Sequence, residues 1–137
     1  DRIFLFCVSP LLLFFQNSVI INNVMSCLFC DIIAKKIPAE IVYESDDVIA
    51  FPDIAPQAPL HLLIIPKKHL SNVLAFTSND ATLLTSLFTA INIIVNKFNL
   101  TQNGFRIVTN TGEDGGQTVD HLHFHLLGGR SLTWPPG

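Results

Sequence analysis

The sequence predicts an α+β domain: a five-stranded, mostly antiparallel sheet with one short and one long helix. Two patterns and the chain length point to it. Leu83, Leu84, Leu87, Phe88, Ile91, Ile94, Val95 and Phe98 recur at helical spacing, the stripe of a long helix that packs on a sheet. Five short β-rich runs flank that stretch, three before it and two after. At 137 residues the chain has the size of one domain, too short for two independent cores.

In chain order, residues 28–37 alternate apolar pairs with Lys35 and Lys36, which suits a short helix closed by Pro38. Residues 41–44 and 48–51 are β-rich and flank the polar turn Ser45-Asp46-Asp47, a hairpin. Residues 60–65 are nearly all apolar, a buried strand stopped at Pro66. Ser78-Asn79-Asp80 supplies an N-cap signal for the long helix. Asn103-Gly104 is a turn, residues 105–110 a strand, 111–116 a loop and 121–127 the last strand. The tail ends in Trp134-Pro135-Pro136-Gly137.

The net charge is −3, which argues against a basic nucleic-acid footprint. Charged residues make up only 14%, against about 25% in typical domains. The shortfall is concentrated in residues 1–24, where Asp1 and Arg2 are the only charges ahead of the single methionine, Met25. Residues 1–24 read as an upstream extension outside the fold, and residues 25–137 as the domain. The apolar run at 3–15 is too short for the roughly 20 residues that span a bilayer, so no membrane is expected. Three cysteines do not make a disulfide framework. Cys27 and Cys30 form a C-x-x-C pair, which in a reducing compartment suggests metal or redox chemistry.

The chemistry concentrates in His121-Leu122-His123-Phe124-His125-Leu126-Leu127. On a strand, alternate side chains share a face. The three imidazoles then lie together, about 6.5–7 Å apart, while Leu122, Phe124 and Leu126 pack under the long helix. Such a trio can bind a metal, or it can act as nucleophile and acid–base groups near neutral pH. Just upstream, Gly112-Glu113-Asp114-Gly115-Gly116-Gln117-Thr118 offers backbone amides, an amide side chain and a hydroxyl, the makings of a phosphate cradle. Phosphate beside a nucleophilic imidazole points to phosphoryl or nucleotidyl transfer.

The H-x-H-x-H strand followed by Leu126-Leu127 resembles the signature of the histidine triad family, in particular its small nucleotide-binding, purine nucleoside phosphoramidase branch. The resemblance runs from Ser26 to Gly137. It takes in the segment Cys27 to Ile33, the segment Phe51 to Pro59, the segment His61 to His69, and Gly128-Gly129-Arg130 with the Trp134 tail. It implies a homodimer whose two five-stranded sheets join as a ten-stranded one. It also implies hydrolysis of the P–N bond of purine nucleoside phosphoramidates, such as adenosine monophosphate joined to an amine.

Position by position, the resemblance makes His123 the nucleophile that forms a nucleotidyl-histidine. His125 would hydrogen-bond the phosphate, and His121 would hold or polarise the central imidazole. His61 would join the relay behind His123. Gly116, Gln117 and Thr118 would contact the phosphate or leaving group, with Asn110 nearby. Asp53 would accept the ribose hydroxyls, as an acceptor-only group can. Leu28, Phe29, Ile32, Phe51 and Ile54 would form the slot for the base, and Trp134 would reach the partner's site. Thr118 stands where relatives often have Ser, Asp120 where animal members often have an aromatic, and Pro52 where some have His, which bears on substrate preference.

The resemblance further implies a structural zinc on Cys27, Cys30, His69 and His121, a set suited to tetrahedral coordination. No cofactor is needed for the chemical step, and a cytoplasmic location is expected. Two other classes stay open: a metal hydrolase with all three triad histidines as ligands, and a nucleotide-binding adaptor or signalling protein with incidental catalysis.

Overall fold

The computed structural model describes residues 27–136. The upstream extension assigned to residues 1–24 and the domain start at Met25 lie outside the described residues.

The elements are α1 (Leu28–Ile33), β1 (Tyr43–Glu44), β2 (Val48–Pro52), β3 (Leu60–Pro66), α2 (Ala81–Lys97), β4 (Phe105–Val108) and β5 (Phe124–Gly128). They form one five-stranded sheet in the order β1-β2-β3-β5-β4. All four pairings are antiparallel. The α+β class, the strand number and the two helices are those the sequence predicts.

The sheet is covered on both faces, which explains why β2 and β3 lack a polar alternation. Val48, Ala50, Leu62, Ile64, Leu122, Phe124 and Leu126 pack with Leu83, Leu87, Ala90, Ile91, Ile94 and Val95 of α2. The intervening residues Ile49, Phe51, Leu63 and Ile65 pack on the opposite face with Phe29 and Ile32 of α1. His61 and His125 belong by parity to this second face, so the site lies on the α1 side.

Several boundaries differ from the expectation, each for a local reason. Helix α1 ends at Ile33, not Ile37. Lys35 takes the left-handed conformation at φ 58°, its N–H bonds Ile32 O and that of Lys36 bonds Asp31 O. This is a Schellman ending without the glycine that marks one in sequence. Helix α2 ends the same way, with Asn99 at φ 56° and the Leu100 N–H on Val95 O. Its N-cap is Asp80, within the Ser78-Asn79-Asp80 signal, but makes no side-chain cap bond to α2. The capping box belongs to the 3-10 turn Ser78–Asp80 that leads into the helix, where the Thr77 hydroxyl accepts from Asn79 N–H and Asp80 accepts from Thr77. Lys68 and Thr77 hold the Asp80 carboxyl down at about 2. Of the α2 stripe, Leu84 and Phe88 are 42% and 51% exposed, so the buried face is narrower than expected. Strand β1 is two residues long, and β4 stops at Val108.

The change that matters for the site is in β5, which begins at Phe124. His121 and His123 lie ahead of the ladder. The Leu122 N–H bonds Leu70 O instead of a neighbouring strand, and Thr109 Oγ1 donates to His123 O.

Candidate active site

On the α1 face, β3, β5, α1 and the β2–β3 loop enclose a cavity of about 680 Å³. Leu28, Phe29, Ile32, Phe51, Asp53, Ile54, Thr118, His123 and His125 all line it, as do Leu63, Val119 and Glu40. The walls are mostly apolar with a few convergent polar groups, the usual character of a small-molecule site. Phe29 stands edge-on to Phe51 and to His123, at 5.9 and 5.3 Å between centroids. Glu40 and Val119 had no role in the sequence reading, and only the fold brings them to the cavity.

Asn110, Gly116, Gln117 and Trp134 do not line this cavity. The Gln117 amide is committed to main-chain partners: Nε2 donates to Val119 O and across to Ser71 O in the segment after β3, and Oε1 accepts from Gly112 N–H. Gln117 therefore shapes the loop that presents Thr118. Trp134 is 82% exposed, and the tail leading to it is pinned where Arg106 Nη2 donates to Thr133 O at 2.7 Å.

The histidines do not form an even row. His123 and His125 have ring centroids 5.0 Å apart, closer than strand spacing gives, and only His125 lies within β5. His121 contacts His123 through its main-chain carbonyl, 2.7 Å from His123 Nδ1, while its ring faces the cysteines. His61 backs His125 and not His123, with Nε2 2.9 Å from His125 Nδ1. Asp53 Oδ2 lies 3.4 Å from His61 Nε2 and 3.7 Å from His125 Nδ1. Its Oδ1 accepts from Ala55 N–H.

Main-chain partners fix the ring tautomers. A carbonyl only accepts, so His123 carries its proton on Nδ1 and keeps a lone pair on Nε2. The Gln57 N–H donates to His61 Nδ1 at 3.1 Å, so His61 is protonated on Nε2 and donates to His125 Nδ1. His125 then bears its proton on Nε2. Two adjacent imidazoles thus face the cavity with opposite polarity, one as base or nucleophile and one as donor. Burial pushes both His61 and His125 down from the usual 6.5, which keeps them neutral at pH 7.

A second cluster joins Cys27, Cys30, His69 and His121, whose donor atoms all lie within 4.8 Å of one another. The Sγ–Nδ1 distances are 3.3 Å for Cys27–His121, 3.3 Å for Cys30–His69 and 3.6 Å for Cys30–His121. The two Nδ1 atoms are 3.2 Å apart. Ligands on a tetrahedral zinc would stand about 3.6 Å apart for S–N and about 3.3 Å for N–N. The His121 Nε2–H donates to Pro66 O at 2.9 Å, which leaves Nδ1 as a lone pair aimed at the cluster, the usual outer bond of a metal-ligating histidine. The four residues fit a zinc ion.

Residues 26–133 match the protein family described as scavenger mRNA decapping enzyme C-term binding. An uncharacterized HIT-like protein of Synechococcus elongatus is 54% identical over 110 residues, 80% of this chain and 96% of that protein. Among solved structures, a HIT family hydrolase from Legionella pneumophila is similar at TM-score 0.80 and 46% identity, over 82% of this chain and all of that one. A histidine triad nucleotide-binding protein from Candida albicans is similar at TM-score 0.70 and 31% identity, over 80% of this chain and 83% of that one.

Proposed function

The chain belongs to the histidine triad (HIT) family, and on that premise we propose that it hydrolyses the P–N bond of purine nucleoside phosphoramidates through a covalent nucleotide on His123. The observation that carries this reading is the opposed polarity of His123 and His125 at one cavity wall.

The His123 Nε2 lone pair forms a bond to phosphorus as the bond to the amine breaks. The departing nitrogen takes a solvent proton, which the hydroxyl of Thr118, a cavity-lining residue, is suited to relay. The adduct ring becomes cationic, and its Nδ1–H is already bonded to the buried His121 carbonyl. The His125 Nε2–H stabilises charge on a phosphoryl oxygen. Water then attacks phosphorus, releases the nucleoside monophosphate, returns the lone pair to Nε2 and gives its spare proton to solvent. Asp53 meets the ribose hydroxyls, and the apolar walls from Leu28, Phe29, Ile32, Phe51 and Ile54 hold the base.

Cys27, Cys30, His69 and His121 would hold a zinc ion, which when bound supplies structural cross-linking and no chemical step. Two thiolate ligands suit a reducing compartment, consistent with a cytoplasmic location. Among the described residues, no helix is long and apolar enough to cross a membrane. Exposed Leu84 and Phe88 on α2, with β4 at a sheet edge, support a homodimer that extends the sheet to ten strands.

The test is a panel of adenosine and guanosine phosphoramidates against the wild type and His123→Ala. Turnover should vanish in the variant while nucleotide binding persists, and a slow substrate should leave an acid-labile nucleotide on His123. A label elsewhere, or an unimpaired variant, overturns the mechanism. Wild-type binding without turnover favours the adaptor reading.

A further inference from the structure

We propose that Arg130 is a positioning residue for this site, acting through the main chain of Gln57 and the ring of His61 to hold His125 in the tautomer that donates into the cavity. The role given to His125 rests on the phosphoramidase reading. The chain of bonds does not.

Gly129 turns the chain out of β5 at φ +87°, and a Cβ there would come within 3.0 Å of Pro59 Cβ. This close turn brings Arg130 to the loop between β2 and β3. Its guanidinium donates twice to the Gln57 carbonyl, from Nε at 3.2 Å and Nη2 at 2.9 Å, and Nη1 donates to Ser131 O. Two bonds from a rigid fork fix the direction of that carbonyl. The Gln57 N–H belongs to the preceding peptide plane, hinged to the first at one α-carbon. With the carbonyl clamped, the N–H keeps its aim at His61 Nδ1, 3.1 Å away.

From there the polarity is forced. A donor at Nδ1 requires a lone pair, so the His61 proton sits on Nε2. That N–H has two acceptors in reach, His125 Nδ1 at 2.9 Å and Asp53 Oδ2 at 3.4 Å. The shorter bond goes to His125, whose own proton is thereby placed on Nε2. Without the clamp, Gln57 N–H can turn away and His61 can take the Nδ1–H form. The His61–His125 bond then reverses, and His125 offers a phosphoryl oxygen a lone pair where a donor is needed.

The same logic decides what Asp53, His61 and His125 are. Their donor atoms lie within 4.8 Å of one another, as in a metal site. A neutral imidazole has one lone pair, however, and that of His61 is occupied by Gln57 N–H. The cluster is a hydrogen-bond relay.

The test uses the full chain with 15N-labelled histidine, as wild type, Arg130→Gln and Arg130→Lys. Long-range 15N–1H spectra near pH 7.5 should show His61 and His125 as single Nε2–H tautomers in the wild type and as mixtures in Arg130→Gln. With a phosphoramidate substrate, kcat should fall about tenfold in Arg130→Gln, with KM and nucleotide affinity changed less than threefold. Arg130→Lys, which keeps one cationic donor for Gln57 O, should restore the tautomers and most of kcat. Unaltered tautomers in a folded Arg130→Gln overturn the proposal, as does a lysine variant no better than glutamine. If the glutamine variant does not fold, Arg130→Met takes its place: mixed His61 and His125 tautomers support the clamp, and wild-type tautomers overturn it. Absence of any wild-type turnover sinks the functional reading and leaves the tautomer result standing.

Discussion

His123 donates its Nδ1–H to the main-chain carbonyl of His121 across 2.7 Å, while the His121 imidazole faces Cys27, Cys30 and His69. The residue before the nucleophile's own dipeptide thus serves two sites, one with its ring and one with its backbone. A metal on the ring would stiffen the backbone that orients the nucleophile. We expect about one zinc per chain by elemental analysis, and its loss in Cys30→Ala. The variant should show a lower Tm and about a tenfold loss of kcat, in the range for outer-shell support of a site, with the covalent nucleotide still on His123. Full activity in a zinc-free variant would break the link between the two sites.

His125 owes its donor to His61, and that bond runs along the sheet face. Replacing His125 with Ala removes a preorganised donor at the phosphoryl oxygen and should lower kcat by about 10² to 10³. His125→Gln, whose amide can present an N–H near the same place, should recover part of that loss. His61→Ala should fall between the two, because it frees the His125 tautomer without deleting the ring. Steady-state kinetics on one phosphoramidate ranks the three.

The sheet and α2 were legible because hydrophobicity marks them in two ways: residues 60–65 form a nearly continuous apolar run bounded by Pro59 and Pro66, and the stripe from Leu83 to Val95 repeats the period of a helix. Helix ends were not. Lys35 and Asn99 take left-handed conformations with no glycine to announce them. The triad was legible as a cluster, and its leucine face lies under α2 as expected. Its internal wiring was not, because three of the bonds that set it come from the main chain of Gln57, His121 and Pro66. Backbone groups carry no letter in a sequence. The bonds of the Gln117 amide were illegible for the converse reason: a polar side chain in a glycine loop looks free until the fold closes Ser71, Gly112 and Val119 around it.

Burial pushes His61 and His125 below the usual 6.5, and for His125 the neighbouring His123 and His61 add to it, while Asp53 opposes the shift in both. The fold therefore prefers the neutral rings. Above about pH 6.5 folded and unfolded chains are both neutral and nothing is lost. As pH falls through that value the unfolded chain takes protons that the folded one refuses, so stability declines until the folded rings titrate in turn. Urea unfolding at pH 7.5, 6.5 and 5.5 should show a falling midpoint, and His61→Gln should flatten the slope. NMR titration should place both folded pKa values under 6.5. A value above 6.5 for His125 would mean that Asp53 outweighs burial.

The loop that presents Thr118 has almost no slack. A Cβ on Gly115 would lie 2.3 Å from Thr111 O, a main-chain atom that no side-chain rotation can move. Gly115→Ala must therefore open the turn that the Gly116 N–H to Glu113 O and Gln117 N–H to Gly112 O bonds close. Thr118 and Val119 at the cavity wall move with it. Misplacement of this order at a reacting centre costs about 10- to 100-fold in rate, so kcat should fall by that much with a small change in Tm. Gly104→Ala separates the site effect from backbone strain. Gly104 sits at φ +85° with nothing within 4 Å of an added Cβ, in the turn before β4. It should cost about 1–2 kcal/mol of stability and leave kcat intact. Equal losses of activity in both variants would show that the loop's closure has no special bearing on the site.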